Sequence, residues 1–251
     1  MIICKSPREI ESLKKSNQIV ALILEEIRRY IKPGITTIEI DRLAEKLIKK
    51  YHCAPAFKGY RGFPASICVS VNEQIVHGIP GKRRLKEGDI VSLDLGVKLD
   101  GFFGDAAITV PVGKIDPESQ KLLRVTKEAL YKGIERAQLG RRLSDISHAI
   151  QSWVEKHGFS VVRDFVGHGI GKNLHEEPQI PNFGRPNFGP RLKEGMVLAL
   201  EPMVNIGSYE VKILDDGWTA VTADGSRSAH FEHSIAVTKD GPLILSELEG
   251  R

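Results

Sequence analysis

The sequence predicts a mixed α/β (α+β) fold made of two pseudosymmetric halves, each a pair of helices followed by a strand. Three features of the chain predict it. From Ile90 to Val110, two apolar, β-branched runs flank Asp100-Gly101, the strongest short hairpin signal. The chain also repeats itself. Lys32-Pro33-Gly34 and Gln138-Leu139-Gly140 each fall between two helical segments, with the glycines 106 residues apart. Leu85-Lys86-Glu87-Gly88 returns 107 residues later as Leu192-Lys193-Glu194-Gly195, and each precedes an apolar strand. Finally, Asp94 stands six residues after Gly88 and Glu201 six after Gly195, while His77-x-x-Pro80 returns as His175-x-x-Pro178. A duplicated unit with an acid and a His in matching places predicts a pseudo-twofold axis where the acids meet.

Each element has a local cause. Ser6-Pro7-Arg8-Glu9 is a capping box with proline at the first helical position. Its helix is expected to reach about Tyr30, with Ile10, Leu13, Ile19, Leu22, Ile23 and Ile27 facing the core. Lys32-Pro33-Gly34 stops it. Thr36 and Glu39 cap a second helix to about Tyr51 on Ile40, Leu43, Leu47 and Ile48. A loop from Phe57 to Pro64 leads to a strand at 66–71. Asp116-Pro117-Glu118 opens a third helix ending near Gly140, and a fourth runs from about Ser144 to His157. Strands are expected at 160–166 and 196–204, with hairpins from Tyr209 to Ser246.

Composition narrows the class. With 41% hydrophobic and 27% charged residues, the 251-residue chain reads as an ordinary globular protein. A single catalytic domain over 1–251 is expected, with internal halves at about 6–112 and 113–251. The net charge of +4 comes without a long Lys/Arg block, which argues against specific nucleic-acid binding. Cys4, Cys53 and Cys68 show no C-x-x-C spacing and point to a reducing compartment. No signal-peptide core follows Met1, and no apolar run approaches membrane-spanning length, so a cytoplasmic protein without a membrane partner is expected.

The hairpin carries the chemistry. If Asp100-Gly101 is the turn, Asp94 lies opposite Ala107 and Asp105 opposite Gly96, so both carboxylates point to one face. They become diagonal neighbours about 7–8 Å apart at the backbone. On an apolar hairpin they repel and lose hydration unless a shared cation sits between them. Asp100 already serves the turn, which leaves Asp94 and Asp105 unexplained as turn residues. Downstream, Gly167-His168-Gly169-Ile170-Gly171 places His168 in a loop that glycines let the backbone aim closely. Glu201 ends one apolar strand and Glu232 lies in another. Asp94, Asp105, His168, Glu201 and Glu232 thus form an oxygen-rich set with one imidazole, suited to two hard or borderline divalent ions rather than a structural zinc. Two such ions about 3.5–4 Å apart polarise a carbonyl and supply a bridging hydroxide, which points to metal-assisted hydrolysis. His52, His148 and His157 fall at or in helices and read as surface residues; His233 reads as structural. His230 shares a face with Glu232 and reads as pocket rim rather than ligand.

At these residues the chain resembles the type I methionine aminopeptidases of the short bacterial form, over essentially its whole length. The motifs are Asn72-Glu73-x-x-x-His77-Gly78-Ile79-Pro80, Gly167-His168-Gly169-Ile170-Gly171 and Glu201-Pro202-Met203, in order with the five ligands. The resemblance implies a pita-bread fold around a dinuclear centre of Mn, Fe, Co or Zn, and removal of N-terminal methionine from nascent polypeptides, at the ribosome, by a monomer. It implies that Asp105 and Glu232 bridge two ions, that Asp94 binds one, and that His168 and Glu201 bind the other. Glu201 would also shuttle the proton, and His77 and His175 would position the scissile amide and stabilise the tetrahedral intermediate. Tyr60, Phe63, Cys68, Leu174, Met203 and Trp218 match the methionine pocket; Asn72 and Ser228 match a monovalent-cation site. Phe57, Phe63, Leu174 and His230 depart from the residues common there, and all four lie at the pocket or its rim. The Pro181 to Pro190 segment, a tandem Pro-Asn-Phe-Gly repeat, reads as a rim loop. The rivals are an Xaa-Pro aminopeptidase or prolidase on the same fold, which usually carries a separate N-terminal domain, and an inactive pita-bread binding protein, which typically loses ligands.

Overall fold

The Asp-Gly turn builds the centre of the molecule. In the computed structural model, which describes residues 1–248, Asp100 and Gly101 both adopt positive φ (49° and 86°). A two-residue turn needs that backbone to match the twist of its strands. Chain order is helix α1 (Pro7–Tyr30), α2 (Thr37–Lys50), strand β1 (Ala54–Pro55), a 3₁₀ turn at Tyr60–Gly62, β2 (Cys68–Val71) and β3 (Gln74–Val76). The hairpin β4 (Ile90–Leu99) and β5 (Phe102–Pro111) follows, then α3 (Pro117–Ile134) and α4 (Leu143–Lys156). The remaining strands are β6 (Ser160–Val161), β7 (Val166–Gly169), β8 (Glu176–Pro181), β9 (Val197–Leu200), β10 (Met203–Asn205) and β11 (Val211–Ile213). The last are β12 (Ala220–Thr222), β13 (Ser228–His230), β14 (Glu232–Thr238) and β15 (Gly241–Ile244). Among the described residues no helix is long and apolar enough to cross a membrane.

The principal sheet runs β1-β4-β5-β14-β9-β7-β8, with β2 also on β4 and β15 on β14. Two smaller sheets, β13-β10-β6 and β11-β12-β3, lie beside it. Strand β4 meets β5 in the register expected from the turn: Leu99 opposite Phe102, Asp94 opposite Ala107 and Gly96 opposite Asp105. Each helix pair covers its own part of the sheet. Val20, Ile23 and Ile40 pack on Leu93 and Leu95, while Leu122, Val125, Ile146 and Ile150 pack on Leu198 and Ile235.

The duplication is visible bond by bond. Gly34 N–H donates to Leu85 O (2.8 Å) and Gly140 N–H to Leu192 O (2.9 Å). Arg84 Nη1 donates to Gly34 O and Arg191 Nη1 to Gly140 O. Both glycines take positive φ, which lets the chain leave the first helix of each pair in the same way.

Three expected elements differ. Helix α3 stops at Ile134, not near Gly140, because Arg136 and Ala137 donate to carbonyls only three residues back and tighten the last turn. The expected strands at 160–166 and 196–204 each break in two. In both, the chain crosses from one sheet to another, from β6 to β7 and, at Glu201-Pro202, from β9 to β10. Phe231 marks a third crossover, between β13 and β14. The crossovers at Glu201-Pro202 and Phe231 turn the chain inward beside the hairpin.

Gly104 joins hairpin and helix. A Cβ there would lie 2.6 Å from Ser16 C and 2.7 Å from Asn17 N, backbone atoms of α1 that cannot move aside cheaply. Gly104→Ala is therefore expected to destabilise the fold by about 1–3 kcal/mol, read as a lowered urea midpoint at unchanged slope. An unchanged midpoint would show that α1 is free to shift.

Candidate active site

The acids converge because three strands run side by side. Asp94 on β4, Ala107 on β5 and Glu232 on β14 are successive register partners, and Asp105 stands two residues from Ala107 on the same face. Ala107 leaves room between the carboxylates that a larger side chain would fill. His168, on β7 opposite Ala199 of β9, enters from the other half. Its Nδ1–H donates to Gly169 O (2.9 Å), which leaves the Nε2 lone pair facing the acids. Nε2 lies 3.6 Å from Glu201 Oε1 and 4.0 Å from Asp105 Oδ2. One ligand atom each of Asp105, His168 and Glu232 all lie within 4.8 Å of one another.

Burial sets the electrostatics. It pushes the Asp94 carboxyl up to about 7, and those of Asp105, Glu201 and Glu232 well above the ordinary carboxylate range. Neighbouring carboxylates add to the rise at the last three. Burial, then the nearby His175, lowers His168 to about 3, so its ring is neutral. Asp94 Oδ1, Asp105 Oδ1 and Glu232 Oε1 are buried without a hydrogen-bond partner among the described residues. Orphaned acceptors of this kind are costly to bury, and a divalent cation supplies what they lack. An oxygen-rich set with one neutral imidazole fits such ions.

The other expected residues form the rim. Tyr60 O–H and His175 Nδ1 are 2.8 Å apart, and the His175 ring lies 4.3 Å from that of His168. Burial, then the Arg61 charge, lowers His175; burial, then His175, lowers His77 to about 4. His77 meets Phe165 and Trp218 edge-on. Phe63, Cys68 and Leu174 are buried in one apolar cluster with half-buried Tyr60 and Trp218. Met203 packs instead with Ile75, Val76, Val162 and Ala220, in a cluster that includes the half-buried Phe165. Asn72 O accepts from Ser228 N–H (2.9 Å), so these two are adjacent, while the Asn72 side chain is engaged by Asp89 and Ile90.

Sequence reasoning missed the supports. Asn17 Oδ1 accepts from Asp105 N–H (3.2 Å), and Ser234 Oγ donates to Asp105 O (2.9 Å). A polar Asn on the apolar face of α1 was the available signal. Lys5 and Glu176 form an ion pair with side chains only 6% and 7% exposed, which ties the chain start to the loop bearing His175. A Cβ on Gly171 would lie 2.6 Å from both partners' side chains, so a larger residue there would push the pair apart. Nothing in the pattern around Lys5 distinguishes it from a surface lysine.

Acids and imidazoles gathered at the seam of a duplicated fold are the equipment of a metal-dependent hydrolase. The model for metallopeptidase family M24 matches residues 11–239, and the chain belongs to that family. Within it the full-length likeness is to methionine aminopeptidases. The chain is 60% identical over 248 residues to methionine aminopeptidase 1 of Bacillus subtilis (strain 168), covering 99% of this chain and 100% of that one. A crystal structure of methionine aminopeptidase from Thermotoga maritima superposes with a TM-score of 0.97 at 52% identity, covering 98% of this chain and 100% of the other. A prolidase from Pyrococcus furiosus, 22% identical with a TM-score of 0.81, shares the pita-bread fold. It covers 98% of this chain with 66% of its own, which leaves the prolidase reading a distant one.

The raised Asp94 carboxyl has a thermodynamic consequence. Its folded value, about 7, exceeds the ordinary 3.8, so between these the folded state holds a proton that the unfolded state has lost. Stability from this group therefore falls as pH rises through that window. The chelated wild type is expected to lose stability relative to chelated Asp94→Asn between pH 4 and 7. Denaturation of both proteins across that range checks it, and a flat difference would refute the burial argument.

Proposed function

We propose that the chain removes the N-terminal methionine from nascent polypeptides by metal-assisted hydrolysis, acting in the cytoplasm, at the ribosome, as a monomer with one catalytic unit. The observation that supports it most directly is the buried Asp105–His168–Glu232 group, with its unpartnered carboxylate oxygens, in a chain whose Phe63, Cys68 and Leu174 form one apolar cluster with Tyr60 and Trp218. Asp94, Asp105, His168, Glu201 and Glu232 would hold two divalent ions (Mn, Fe, Co or Zn). Such a pair polarises the scissile carbonyl and makes water nucleophilic near neutral pH.

The chain's own groups do the rest. Phe63, Cys68, Leu174 and Trp218 take the unbranched thioether side chain, and the soft sulfur suits aromatic edges. The carboxylates facing that pocket hold the free α-amine. Glu201 takes the proton of the attacking water and returns it to the leaving amine, a task that burial assists by raising its affinity for the proton. With Tyr60 O–H donating to Nδ1, His175 carries its proton on Nε2 and donates to the scissile carbonyl oxygen. His77, neutral for the same reason of burial, positions the amide from the opposite wall. Asn72 and Ser228 would hold a monovalent cation.

The direct test is turnover of Met-Ala-Ser with each metal added to chelated protein, beside formyl-Met-Ala-Ser and an Xaa-Pro peptide. Cleavage of Met-Ala-Ser alone, abolished by chelator while circular dichroism shows an intact fold, is expected. Turnover that survives chelation, or cleavage of the formylated peptide, would overturn the metal or the amine-anchoring part. Alanine at His77 or His175 is expected to lower kcat by about 10²-fold or more at unchanged metal stoichiometry. Loss of a metal ion from either variant would make that His a ligand and refute its assignment.

A further inference from the structure

His230 is the buried imidazole left without a task. Its ring is 1% exposed, and neither Nδ1 nor Nε2 has a hydrogen-bond partner among the described residues. Leaving both unpaired costs about 1–3 kcal/mol apiece, so the ring is poorly explained as packing. Its aim is built into the backbone. Thr109 Oγ1 accepts from His230 N–H (2.8 Å) and lies 2.7 Å from His230 O, while Met203 is its strand partner. With the main chain held on both sides and β13 ending here, the ring projects toward the crossover at Glu201. Nε2 lies 3.7 Å from Glu201 Oε2, while His168 Nε2 lies 3.6 Å from Glu201 Oε1.

One carboxylate thus stands between two imidazoles, and their tautomers need not be the same. Gly169 O fixes the His168 proton on Nδ1, so that ring turns a lone pair to Glu201. No acceptor engages His230 Nδ1, and a carboxylate oxygen, Glu201 Oε2, stands 3.7 Å from its Nε2. A neutral imidazole facing a carboxylate is stabilised with its proton toward the oxygen. We propose that His230 is a positioning residue that donates Nε2–H to Glu201 Oε2 and holds the carboxylate in the orientation from which it moves the proton. The separation of 3.7 Å is longer than a hydrogen bond and closes by a small rotation, as catalytic hydrogen bonds do when substrate arrives. His168 Nε2 stands beside one oxygen of Glu201 and His230 Nε2 beside the other. This inference rests on the proposed role of Glu201.

The test combines two readouts. In metal-free protein labelled with ¹⁵N-histidine, at a pH alkaline enough to ionise Glu201, long-range ¹H–¹⁵N correlations are expected to show His230 protonated on Nε2 and His168 on Nδ1, with the His230 pattern altered in Glu201→Ala. A His230 proton on Nδ1, or no response to Glu201→Ala, overturns the proposal. In the metal-loaded enzyme, His230→Leu is expected to lower kcat for Met-Ala-Ser about tenfold or more, with KM and metal stoichiometry nearly unchanged. His230→Gln, which keeps an N–H donor at similar reach, is expected to recover kcat to within about threefold. Equal losses in both variants, or full activity in His230→Leu, refute a donor role. If His230→Leu does not fold, the nitrogen spectrum of the wild type decides. Glu201→Gln separates the two readings: full turnover there removes the proton-carrier role, while the metal-free spectrum still decides the hydrogen bond.

Discussion

Four carboxylates buried in one place are the constraint on which this structure depends. Each loses hydration and repels the others, so the site opposes folding when its protons are removed. The chain answers by separating stability from chemistry. Two apolar clusters, one under each helix pair, carry the fold and include the residues that flank the acids along the chain, such as Leu93 and Leu95 beside Asp94 and Phe231 beside Glu232. Asp94, Asp105 and Glu232 then sit on strands whose backbone is already paired, β4 and β5 over their whole length and β14 between β5 and β9, while Glu201 sits at the crossover after β9. Polar supports act on the backbone rather than on the carboxylates. Asn17 and Ser234 bond to the main chain of Asp105 and leave its Oδ1 without a partner. That choice keeps the oxygens available to a cation, which a direct hydrogen bond would not.

Duplication supplies the geometry but not the residues. The turn after the first helix, its glycine and the arginine that bonds it are repeated in both halves. Asp94 and Glu201 follow the repeated Leu-Lys-Glu-Gly segments at equal spacing. The halves then diverge. The first keeps an unbroken hairpin of two ten-residue strands, while in the second the strand breaks at Glu201-Pro202. Proline cannot donate to a ladder, so the break falls where the strand must leave one sheet for another. The acid before it is carried out of the pleat and toward the axis.

What the sequence made legible follows from this. Register in the hairpin could be read because strand periodicity is two and an Asp-Gly turn fixes the phase, so the positions of Asp94 and Asp105 followed directly. Helix starts could be read from their capping residues: the bonds between Ser6 and Glu9, and between Thr36 and Glu39, are present. The crossovers could not. An apolar run such as 196–204 looks like one strand, and only tertiary pairing decides that β9 and β10 belong to different sheets. Lys5 was equally silent, since burial of an ion pair is a property of the loop it meets. The pocket was partly legible. Five of its expected residues share one cluster, and Met203 lies in the adjoining one, because β10 belongs to the smaller sheet.

The imidazoles show why residue type alone does not assign a role. His168, His175, His77 and His230 are all kept neutral by burial, so charge does not distinguish them. Their neighbours do. A backbone carbonyl takes the Nδ1 proton of His168 and makes its outer nitrogen a lone pair, which is the form a ligand needs. A tyrosine hydroxyl lies 2.8 Å from Nδ1 of His175; when it donates there, the outer nitrogen carries the ring proton, which is the form the proposed contact to a carbonyl oxygen needs. His77 has aromatic edges around it, which fix the ring plane without consuming either nitrogen. Each partner comes from a different element: β7 itself, the 3₁₀ turn, and the loops bearing Phe165 and Trp218. The division of labour among chemically identical rings is therefore set by what the fold places behind them.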